Sequence, residues 1–572
     1  MNAMTYSTAL ASGRVQLANV RQTSLLVAHV RLLAILLIFA VAAGACLARI
    51  AVLGLFEPAP ASRSAAEALL PTRGEIADRN GQPLARAFPA YALWYNPKAL
   101  EGGSALVKSP AEVAARLAAI FPDTDEGELR RRLSAGKPGY LRRRLLPEEA
   151  NRVHALGEPA LEFPRENDRY YPQGSLAAHV LGYVADDGHG RVGMEQVLDK
   201  RLTDPVLRGS ASELSIDMRV QGALEDELGR GMLETKAIGA AGVVLDVDTG
   251  EVLALASLPS FNPNRVDKAI NSLVFNKVTN QVYELGSTFK PLTVAAAIDA
   301  GTVTNLARRY PAHPFGVGRF TIKDSHGMGA SLNVPQALIH SSNIVTAQVA
   351  DELGPTRFKQ KMAELGFNDR PYIELPARGF PLWPKGPWPR ITTLTVSYGH
   401  GVAVTPLHLA SAYATMVNGG IWRPATLEKV PAGKAVKGRR VFKASTSARM
   451  RQLLRLIVTD GTGRKANAPG FRVGGKTGSA EKPGAGGYRK NSLVATFAAA
   501  FPMDRPRYVV IAMFDEPKGT AAASGQRTAA WNAAPAVGRI VPRIGPLLGV
   551  VPDDDRDVDV SELVPLVARH GG

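Results

Sequence analysis

The stretch "YELGSTFKPLTVAAAID" (residues 283–299) places a serine three residues before a lysine, where a glycine gives way to an apolar run. The run predicts a helix that begins at Ser287, because Pro291 is tolerated only near the first turn of a helix. Residues three apart share one helix face, so the Ser287 hydroxyl and the Lys290 amine can meet. A serine hydroxyl becomes a strong nucleophile when a base takes its proton, and a lysine is such a base only while it is neutral.

The same four-residue pattern, serine-x-x-lysine, occurs at two further places in the chain. Ser134 precedes Lys137 in a glycine- and proline-rich context, and Ser479 precedes Lys482 just past a predicted strand. A serine at a helix start that happens to precede a lysine is also an ordinary structural feature. The pattern by itself therefore does not distinguish a nucleophile and its base from a helix N-terminus.

A second candidate element pairs Ser341 with Asn343 at the head of the predicted helix "NIVTAQVADELG". The serine-x-asparagine pattern also begins at Ser260 and at Ser331. Serine and asparagine are common helix N-caps, so each of the three occurrences has a purely structural explanation. Only the position of one occurrence relative to the other elements selects it as functional.

A third candidate element is the run Lys476, Thr477, Gly478 and Ser479, and its lysine-threonine-glycine triplet occurs once in the chain. A strand that ends in a turn would explain the run structurally. The functional interpretation is more specific: the lysine supplies a second cation, and the two hydroxyls bind a substrate carboxylate. The glycine lets a peptide backbone approach closely.

The order of the three elements carries more information than any one of them. Serine-x-x-lysine, serine-x-asparagine and lysine-threonine-glycine follow one another as in serine acyl-transfer enzymes. Ser287 and Ser341 are 54 residues apart, and Lys476 follows Ser341 by 135 residues. Each element lies in the local context that its role requires, so together they predict a serine acyltransferase.

Length and composition set broad limits on the protein. The chain has 572 residues, of which 45% are hydrophobic, enough for three or four structural units with a large core. Its net charge of +17 fits either an anionic partner or basic residues scattered over solvated faces. Cys46 is the one cysteine, which excludes an internal disulfide and a cysteine-based metal cluster, and we predict neither a metal nor a cofactor.

Residues 32–56 predict a transmembrane helix. The first 17 are uncharged and almost wholly apolar, Arg49 interrupts the run, and an apolar segment continues to Phe56. A span of 25 residues can cross a bilayer with some tilt, and an arginine near one end can reach the interface. Since no second stretch of comparable length follows, the sequence predicts a single-pass protein with a large exported body.

The charges before the span predict its orientation. Arg14, Arg21 and Arg31 precede it without any acidic residue, so the positive-inside rule places residues 1–31 in the cytoplasm. A cleaved signal peptide is a weaker alternative, because its basic region and apolar core are normally shorter. Lipoprotein cleavage before Cys46 is weaker too, because it requires a larger aliphatic residue three places earlier. Export of the body argues against nucleic acid as a partner.

The exported part divides into segments of different composition. They are a linker (57–72), a mixed α/β pedestal (73–235), a catalytic unit (236–550) and an acidic tail (551–572) that we expect to be exposed. In the catalytic unit, "AAGVVLDVDTGEVLALAS" predicts a hairpin, helices follow, and three strand-like runs with short connections come near the end. Short connections imply antiparallel neighbours, so we predict an α/β fold with one antiparallel sheet flanked by helices.

At these motifs the chain resembles the penicillin-binding proteins, specifically the class B monofunctional transpeptidases. The resemblance covers about 73–550 and includes "RGEIADRNGQPLA", "RYYPQGSLAAHVLGYV", "YELGSTFK", "HSSN", "YGHGVAVTPLHLASAYATMVNGG", "DGTGRKA" and "GGKTGSAEK". The compact size and the text from "HSSN" onward look most like the septal cell-division type, with the elongation type as the nearer alternative. The resemblance implies the penicillin-binding transpeptidase fold, with a transmembrane helix and a non-catalytic pedestal before it.

The resemblance also implies roles in proton transfer. Ser287 attacks the carbonyl between the two D-alanines of a peptidoglycan stem peptide, and Lys290 takes its proton. Ser341 relays this proton to the leaving nitrogen, and Lys476 pairs with the hydroxyl network. Because Lys290 must be neutral, we expect Lys476 to lie close to it and to share the Ser341 hydroxyl.

The same resemblance assigns substrate contacts. Asn343 holds the amide of the donor peptide, Thr477 and Ser479 bind its terminal carboxylate, and Gly478 leaves room for its backbone. Backbone N–H groups of Ser287 and Ser479 form the oxyanion hole. An amine of a second stem peptide then attacks the acyl-enzyme and gives a cross-link, and β-lactams acylate the same serine.

The implied partners are peptidoglycan stem peptides, β-lactams, a membrane-embedded glycosyltransferase (FtsW-like) and other divisome proteins, but no nucleic acid. The implied location is the inner, cytoplasmic membrane, with the catalytic unit on the periplasmic side. A carboxypeptidase or β-lactamase-like hydrolase of the same fold is an alternative, although a free hydrolase needs neither pedestal nor anchor. A non-catalytic divisome scaffold is another, against which the three intact motifs argue.

Overall fold

The computed structural model describes residues 25–49, 73–99, 106–185, 187–266, 272–434, 436–484 and 487–567. The chain divides into two compact units, Met1–Leu70 and Pro71–Gly572. In the first unit the described residues form one helix, α1 (Leu25–Arg49), which is long and apolar enough to cross a membrane. This helix fits a single-pass membrane anchor.

Helix α1 begins earlier than the predicted span over 32–56, because the residues before Arg31 include apolar side chains that extend the same helix. The end of the predicted span, 50–56, lies outside the described residues, as do the linker 57–72 and most of the predicted cytoplasmic segment 1–31.

The first part of the second unit, the predicted pedestal, is built around one long strand. Its strands are β1 (Ile76–Ala77), β2 (Pro83–Tyr95), β3 (Gly139–Leu145), β4 (Leu161–Glu162), β5 (Arg165–Tyr170), β6 (Tyr183–Val184), β7 (Gly190–Val192) and β8 (Ser212–Glu213). Strands β1, β3, β4 and β5 pair antiparallel with β2, and β8 pairs parallel with β1. Strands β1 and β2 form an antiparallel pair around the turn at Asn80 and Gly81.

Short helices pack against these strands. They are α2 (Pro110–Ile120), α3 (Glu126–Ser134), α4 (Pro147–His154), α5 (Ala178–Leu181), α6 (Gly193–Val197) and α7 (Asp199–Thr203). Leu117 of α2 and Leu133 of α3 share one apolar core with Leu93 and Tyr95 of β2. This part of the chain thus has a core of its own.

The catalytic unit contains a five-stranded sheet and several short pairs. Its strands are β9 (Gly239–Asp246), β10 (Val252–Leu258), β11 (Tyr310–Pro311), β12 (Phe315–Val317), β13 (Phe320–Ile322), β14 (Ser331–Leu332), β15 (Ile421–Trp422), β16 (Arg439–Arg440), β17 (Gly474–Gly484), β18 (Gly487–Phe501) and β19 (Tyr508–Asp515). The large sheet has the order β10-β9-β19-β18-β17, and every neighbouring pair in it is antiparallel. The prediction of one antiparallel sheet is confirmed.

Helices cover both faces of this sheet. They are α8 (Met218–Thr235), α9 (Lys290–Asp299), α10 (Val334–His340), α11 (Asn343–Leu353), α12 (Pro355–Glu364), α13 (Arg390–Ser397), α14 (Pro406–Val417), α15 (Ala444–Thr459), α16 (Ala533–Ile544) and α17 (Val564–Val567). Because strand side chains alternate, Val243 packs with α14 on one face and Val244 packs with α8 and α16 on the other. Helix α8, within the predicted pedestal, thus covers the catalytic sheet.

The acidic tail packs against the catalytic unit. Asp557 pairs with Arg455 of α15 at 2.7 Å, and Leu563 is only 2% exposed. The side-chain amide of Asn333 donates to the carbonyl oxygen of Leu566 at 2.8 Å. Most described residues of the tail are exposed, as expected, but Leu563 is buried and docks the tail at this point.

Candidate active site

The predicted nucleophile lies in a tight turn just before helix α9. Residues Gly286–Phe289 form a 3-10 turn in which the Lys290 N–H donates to the Ser287 carbonyl, and the α-helix begins only at Lys290. The predicted helix start at Ser287 is corrected by one turn, because Pro291 has no N–H for the α-helical bond to Ser287. Residues three apart lie above one another in a 3-10 turn, so Ser287 and Lys290 still share one side.

The two predicted lysines meet at one hydroxyl. Lys290 Nζ and Lys476 Nζ lie 3.1 Å and 2.9 Å from Ser341 Oγ, and Lys290 also donates to the Ser341 carbonyl. Both lysine side chains are fully buried. The expectation that Lys476 lies close to Lys290 and shares the Ser341 hydroxyl is therefore confirmed.

Burial and mutual repulsion determine the charge of this pair. Burial lowers the pKa of Lys290 well below its usual range, the neighbouring Lys476 lowers it further, and Asp324 acts in the opposite direction. Burial also lowers the pKa of Lys476, to about 7. The arrangement favours the neutral form of Lys290, which is the state that a base requires.

Ser341 has an unusual backbone conformation. It ends helix α10 with a φ of 65°, a left-handed conformation that few non-glycine residues adopt. Its neighbour Ser342 is the residue that caps the following helix, because Ser342 Oγ accepts from the Val345 N–H at 3.1 Å. The helix-cap explanation of this motif thus applies to Ser342. The Ser341 hydroxyl does not cap the helix and instead contacts the two lysines.

Asn343 begins helix α11 beside an acidic residue. Its backbone N–H donates to Asp324 Oδ1 at 2.5 Å, and its side-chain amide donates to the Lys323 carbonyl at 3.0 Å. Asp324 also accepts from the Ser342 hydroxyl at 2.7 Å. A carboxylate at the N-terminus of a helix is favourably placed, so Asp324 holds the segment that carries Ser341 and Asn343.

Strand β17 forms the opposite wall of the site. A Cβ atom at Gly478 would lie 2.4 Å from the Leu285 carbonyl oxygen, so the strand and the turn that carries Ser287 are in direct contact. Thr477 Oγ1 lies 2.9 Å from Thr462 Oγ1, and Ser479 Oγ accepts from the Ala529 N–H at 3.0 Å. The pairings leave the Ser479 hydroxyl proton available for a bound anion.

The structure therefore brings the turn that carries Ser287, the Ser341 hydroxyl and strand β17 together. Of the other two serine-x-x-lysine tetrads, the one that begins at Ser479 shares its serine with the site, but its Lys482 forms ion pairs with Asp515 and Glu516. Sequence reasoning missed Asp324 and Thr462. Thr462 lies in "DGTGRKA", which carried the family resemblance but no assigned role. No pattern around Asp324 distinguishes it, because its contacts come from residues about twenty positions away.

Two family models match the chain. The penicillin binding protein transpeptidase domain matches residues 240–536, and the penicillin-binding protein dimerisation domain matches residues 68–232. Together they cover both parts of the second unit.

Several curated proteins are similar over most of their length. The chain is 38% identical to the probable peptidoglycan D,D-transpeptidase FtsI of Caulobacter vibrioides, over 87% of this chain and 85% of the relative. It is 30% identical to the peptidoglycan D,D-transpeptidase FtsI of Escherichia coli K12, over 86% of each chain. It is 33% identical to the probable peptidoglycan D,D-transpeptidase PenA of Neisseria gonorrhoeae, over 79% of this chain and 81% of the relative.

A solved structure has a similar fold. Penicillin binding protein 3 of Mycobacterium tuberculosis, complexed with aztreonam, superposes with a TM-score of 0.66 at 24% identity, covering 86% of this chain and 99% of that one. At this identity the likeness shows the fold alone.

Proposed function

The chain belongs to the penicillin-binding protein transpeptidases, and from this premise we propose that it is a class B peptidoglycan D,D-transpeptidase that cross-links stem peptides during septal wall synthesis. The observation that carries the proposal is the buried pair of lysines around the Ser341 hydroxyl, one turn away from Ser287. Such a pair is costly for stability, and it gives an uncharged base beside a nucleophile.

The proposed acylation step uses these groups in sequence. Ser287 Oγ attacks the carbonyl carbon between two D-alanines while Lys290 takes its proton. As the carbon–nitrogen bond breaks, the proton passes through Ser341 to the nitrogen of the departing D-alanine. Lys476 holds the Ser341 hydroxyl in place and adds positive charge to the site, and the products are the Ser287 ester and free D-alanine.

The proposed substrate contacts lie on strand β17 and helix α11. Thr477 and Ser479 donate their hydroxyl protons to the terminal carboxylate of the donor peptide, and Asn343 binds its amide. The N–H groups of Ser287 and Ser479 stabilise the oxyanion, a contribution of about 3–4 kcal/mol for each donor in other enzymes. Gly478 lets the peptide backbone approach the strand. β-Lactams carry a carboxylate and a reactive carbonyl, so they occupy the same positions.

The proposed location and partners follow from the anchor and the family. In this proposal helix α1 holds the protein in the inner membrane, and the arginines before the predicted span support a cytoplasmic N-terminus with the catalytic unit outside. A membrane-embedded glycosyltransferase of the FtsW type and other divisome proteins are the proposed partners, since cross-linking follows polymerisation of the glycan strands.

The test is labelling of the full chain by a fluorescent penicillin in detergent micelles. The Ser287→Ala variant should lose labelling completely, because no other group can form the ester. Ser134→Ala is the matched control, since Ser134 also precedes a lysine by three residues and should label like the wild type. Persistent labelling of Ser287→Ala would refute the nucleophile assignment.

Two further measurements separate the proposed function from its alternatives. Rapid release of bound penicillin by the wild-type protein would indicate a hydrolase. Depletion in cells should give filaments if the protein works at the septum, and round cells would indicate the elongation type. If Ser287→Ala still supported septation, the protein would act as a scaffold.

A further inference from the structure

The segment that leads into Ser287 lies against the glycine-rich run "YGHG". Tyr283 and Val404 exchange two backbone hydrogen bonds of 2.9 Å, and the Gly286 N–H donates to the Gly399 carbonyl at 3.3 Å. A Cβ atom at Gly399 would lie 2.2 Å from the Gly286 carbonyl oxygen. His400 follows Gly399 directly, so it lies beside the turn that carries the nucleophile.

Glu284 and His400 form a cluster at this point. Glu284 accepts from the Gly401 N–H at 3.0 Å and from the Tyr488 hydroxyl at 2.8 Å. His400 Nδ1 lies 3.4 Å from Glu284 Oε2. The Glu284 side chain is 12% exposed, and among the described residues it has no ion pair with a lysine or arginine. A largely buried carboxylate without a permanent cation attracts a cationic ligand group.

A cavity of about 370 Å³ adjoins the cluster. Its lining includes Glu284, Tyr283, Glu481, Lys482 and Arg489. The Tyr283 side chain is 4% exposed, and its hydroxyl has no hydrogen-bond partner among the described residues. The carboxylates of Glu284 and Glu481 make part of the lining of this cavity anionic.

We propose that Glu284 and His400 receive the amine acceptor of the second half-reaction. Glu284 is the counter-ion of the incoming ammonium group, and His400 is the base that removes one of its protons. The ligand class is a primary alkyl ammonium group on a peptide side chain. This inference rests on the proposed transpeptidase function.

The chemistry requires two proton transfers. An ammonium group has no lone pair, so one proton passes to His400 Nε2 and then to solvent. The freed amine attacks the ester carbonyl, a carbon–nitrogen bond forms, and the bond to Ser287 Oγ breaks. The second proton of the amine returns through Lys290 to Ser287. A carboxylate near Nδ1 favours the histidine tautomer with its proton on that nitrogen, which leaves Nε2 free to accept one.

The aromatic groups around His400 carry no charge that would compete with the Glu284 carboxylate. The rings of Tyr398 and Tyr488 lie 5.5 Å and 5.4 Å from the His400 ring. Burial raises the pKa of Tyr398 to about 12, and burial together with the bond to Glu284 raises the pKa of Tyr488, so both are uncharged at neutral pH.

The cations that line the cavity do not contact this pair. Lys482 pairs with Asp515 at 2.5 Å and with Glu516 at 3.1 Å, so its charge is already compensated. Arg489 is exposed to solvent, and Glu481 adds a second negative charge to the lining. Glu481 therefore provides a matched control for the loss of one carboxylate from the same cavity.

The experiment measures how the acyl-enzyme partitions between acceptors. The full chain in detergent micelles is acylated with a D-alanyl thioester, and Nα-acetyl-lysine, methanol and water compete for the acyl group. Glu284→Gln should lower transfer to Nα-acetyl-lysine about tenfold relative to methanol, because methanol carries no charge. His400→Asn should lower it about a hundredfold at pH 7, and the deficit should shrink toward pH 10, where a much larger fraction of the amine is already neutral.

Glu481→Gln should keep the amine-to-methanol ratio within about threefold of the wild type. The inference is overturned if Glu284→Gln leaves the ratio unchanged or if Glu481→Gln lowers it equally. If Glu284→Gln is not acylated, the inference is tested on His400→Asn instead. A deficit in its amine-to-methanol ratio that does not change with pH overturns the role of the histidine. Failure of the wild type to be acylated at all would instead overturn the proposed function.

Discussion

Two segments of this protein carry the same serine-x-x-lysine pattern, but their lysines have opposite surroundings: one lies beside a second lysine and the other beside two carboxylates. In the first, a 3-10 turn places Ser287 and Lys290 on one side, and Lys290 is buried against a second lysine. In the second, Ser479 and Lys482 lie on strand β17, and Lys482 forms ion pairs with Asp515 and Glu516. The backbone conformation and the neighbouring charges, not the pattern, decide which lysine can act as a base.

The two lysines also differ in their effect on the stability of the fold. Among the described residues no carboxylate forms an ion pair with Lys290, and burial favours its neutral form. In water at neutral pH this is the less stable form of an amine, because the ordinary pKa of lysine is near 10.4. Lys482 forms ion pairs with two carboxylates near the end of strand β17. A functional lysine and a structural lysine therefore respond oppositely to the same substitution.

The largest expected effect is on acylation. Lys290→Met should lower the rate of penicillin acylation about 10³-fold, because the base that activates Ser287 is lost. Lys482→Met and Lys137→Met should stay within about tenfold of the wild type, since neither lysine contacts the Ser341 hydroxyl. Stopped-flow or gel-based labelling with fluorescent penicillin measures the three rates. An equal loss in Lys482→Met would erase the distinction between the two segments.

A smaller effect is expected on stability, and its sign should differ between the two lysines. Lys482→Met leaves Asp515, which is almost fully buried, without its cation, and should lower the free energy of unfolding by about 3 kcal/mol. Lys290→Met removes a buried amine that folding keeps neutral, and should raise this free energy by about 1–2 kcal/mol. Urea unfolding followed by fluorescence measures both changes.

The gain in Lys290→Met should depend on pH. The pKa of Lys290 is lower in the folded than in the unfolded state, so the unfolded state binds more protons and the wild type loses stability as pH falls. The advantage of the variant should therefore shrink as pH rises toward about 10. A gain that is constant between pH 7 and pH 10 would contradict a neutral Lys290.

The smallest expected effect is on the pH at which acylation falls, and it tests how much Lys476 contributes to the pKa of Lys290. Acylation should fall as pH decreases, because protonated Lys290 is no base. Lys476 lowers the pKa of Lys290, so Lys476→Met should move the midpoint of this fall upward by about one pH unit. The pH dependence of the labelling rate gives the midpoint whatever the absolute rate. A midpoint that stays in place would show that burial alone sets the pKa of Lys290.

The strands were predictable from the sequence because the patterns that indicate them are local. The proximity of the three motifs in the fold was also predicted. The hairpin predicted around Asp-Thr-Gly corresponds to β9 and β10. The three strand-like runs with short connections near the end correspond to the antiparallel strands β17, β18 and β19. The order of three motifs pointed to the family resemblance, and the resemblance, together with the need for a neutral base, led us to expect both lysines at the Ser341 hydroxyl.

Other features were not predictable because they depend on contacts between distant residues. Asp324 caps helix α11 from another part of the chain, and Asp557 docks the tail through Arg455. The left-handed conformation of Ser341 has no sequence signal either, since serine rarely adopts it. The helix start was misplaced by one turn, although the missing N–H of Pro291 would have indicated it.

The contacts of Gly478 and Gly399 also limit how this protein can evolve. A methyl group at either position would lie within 2.4 Å of a backbone carbonyl oxygen of the segment that carries Ser287, so even alanine would displace the nucleophile. If β-lactams acylate Ser287, as proposed, substitution of either glycine should impair the reaction with the natural substrate together with the reaction with the drug.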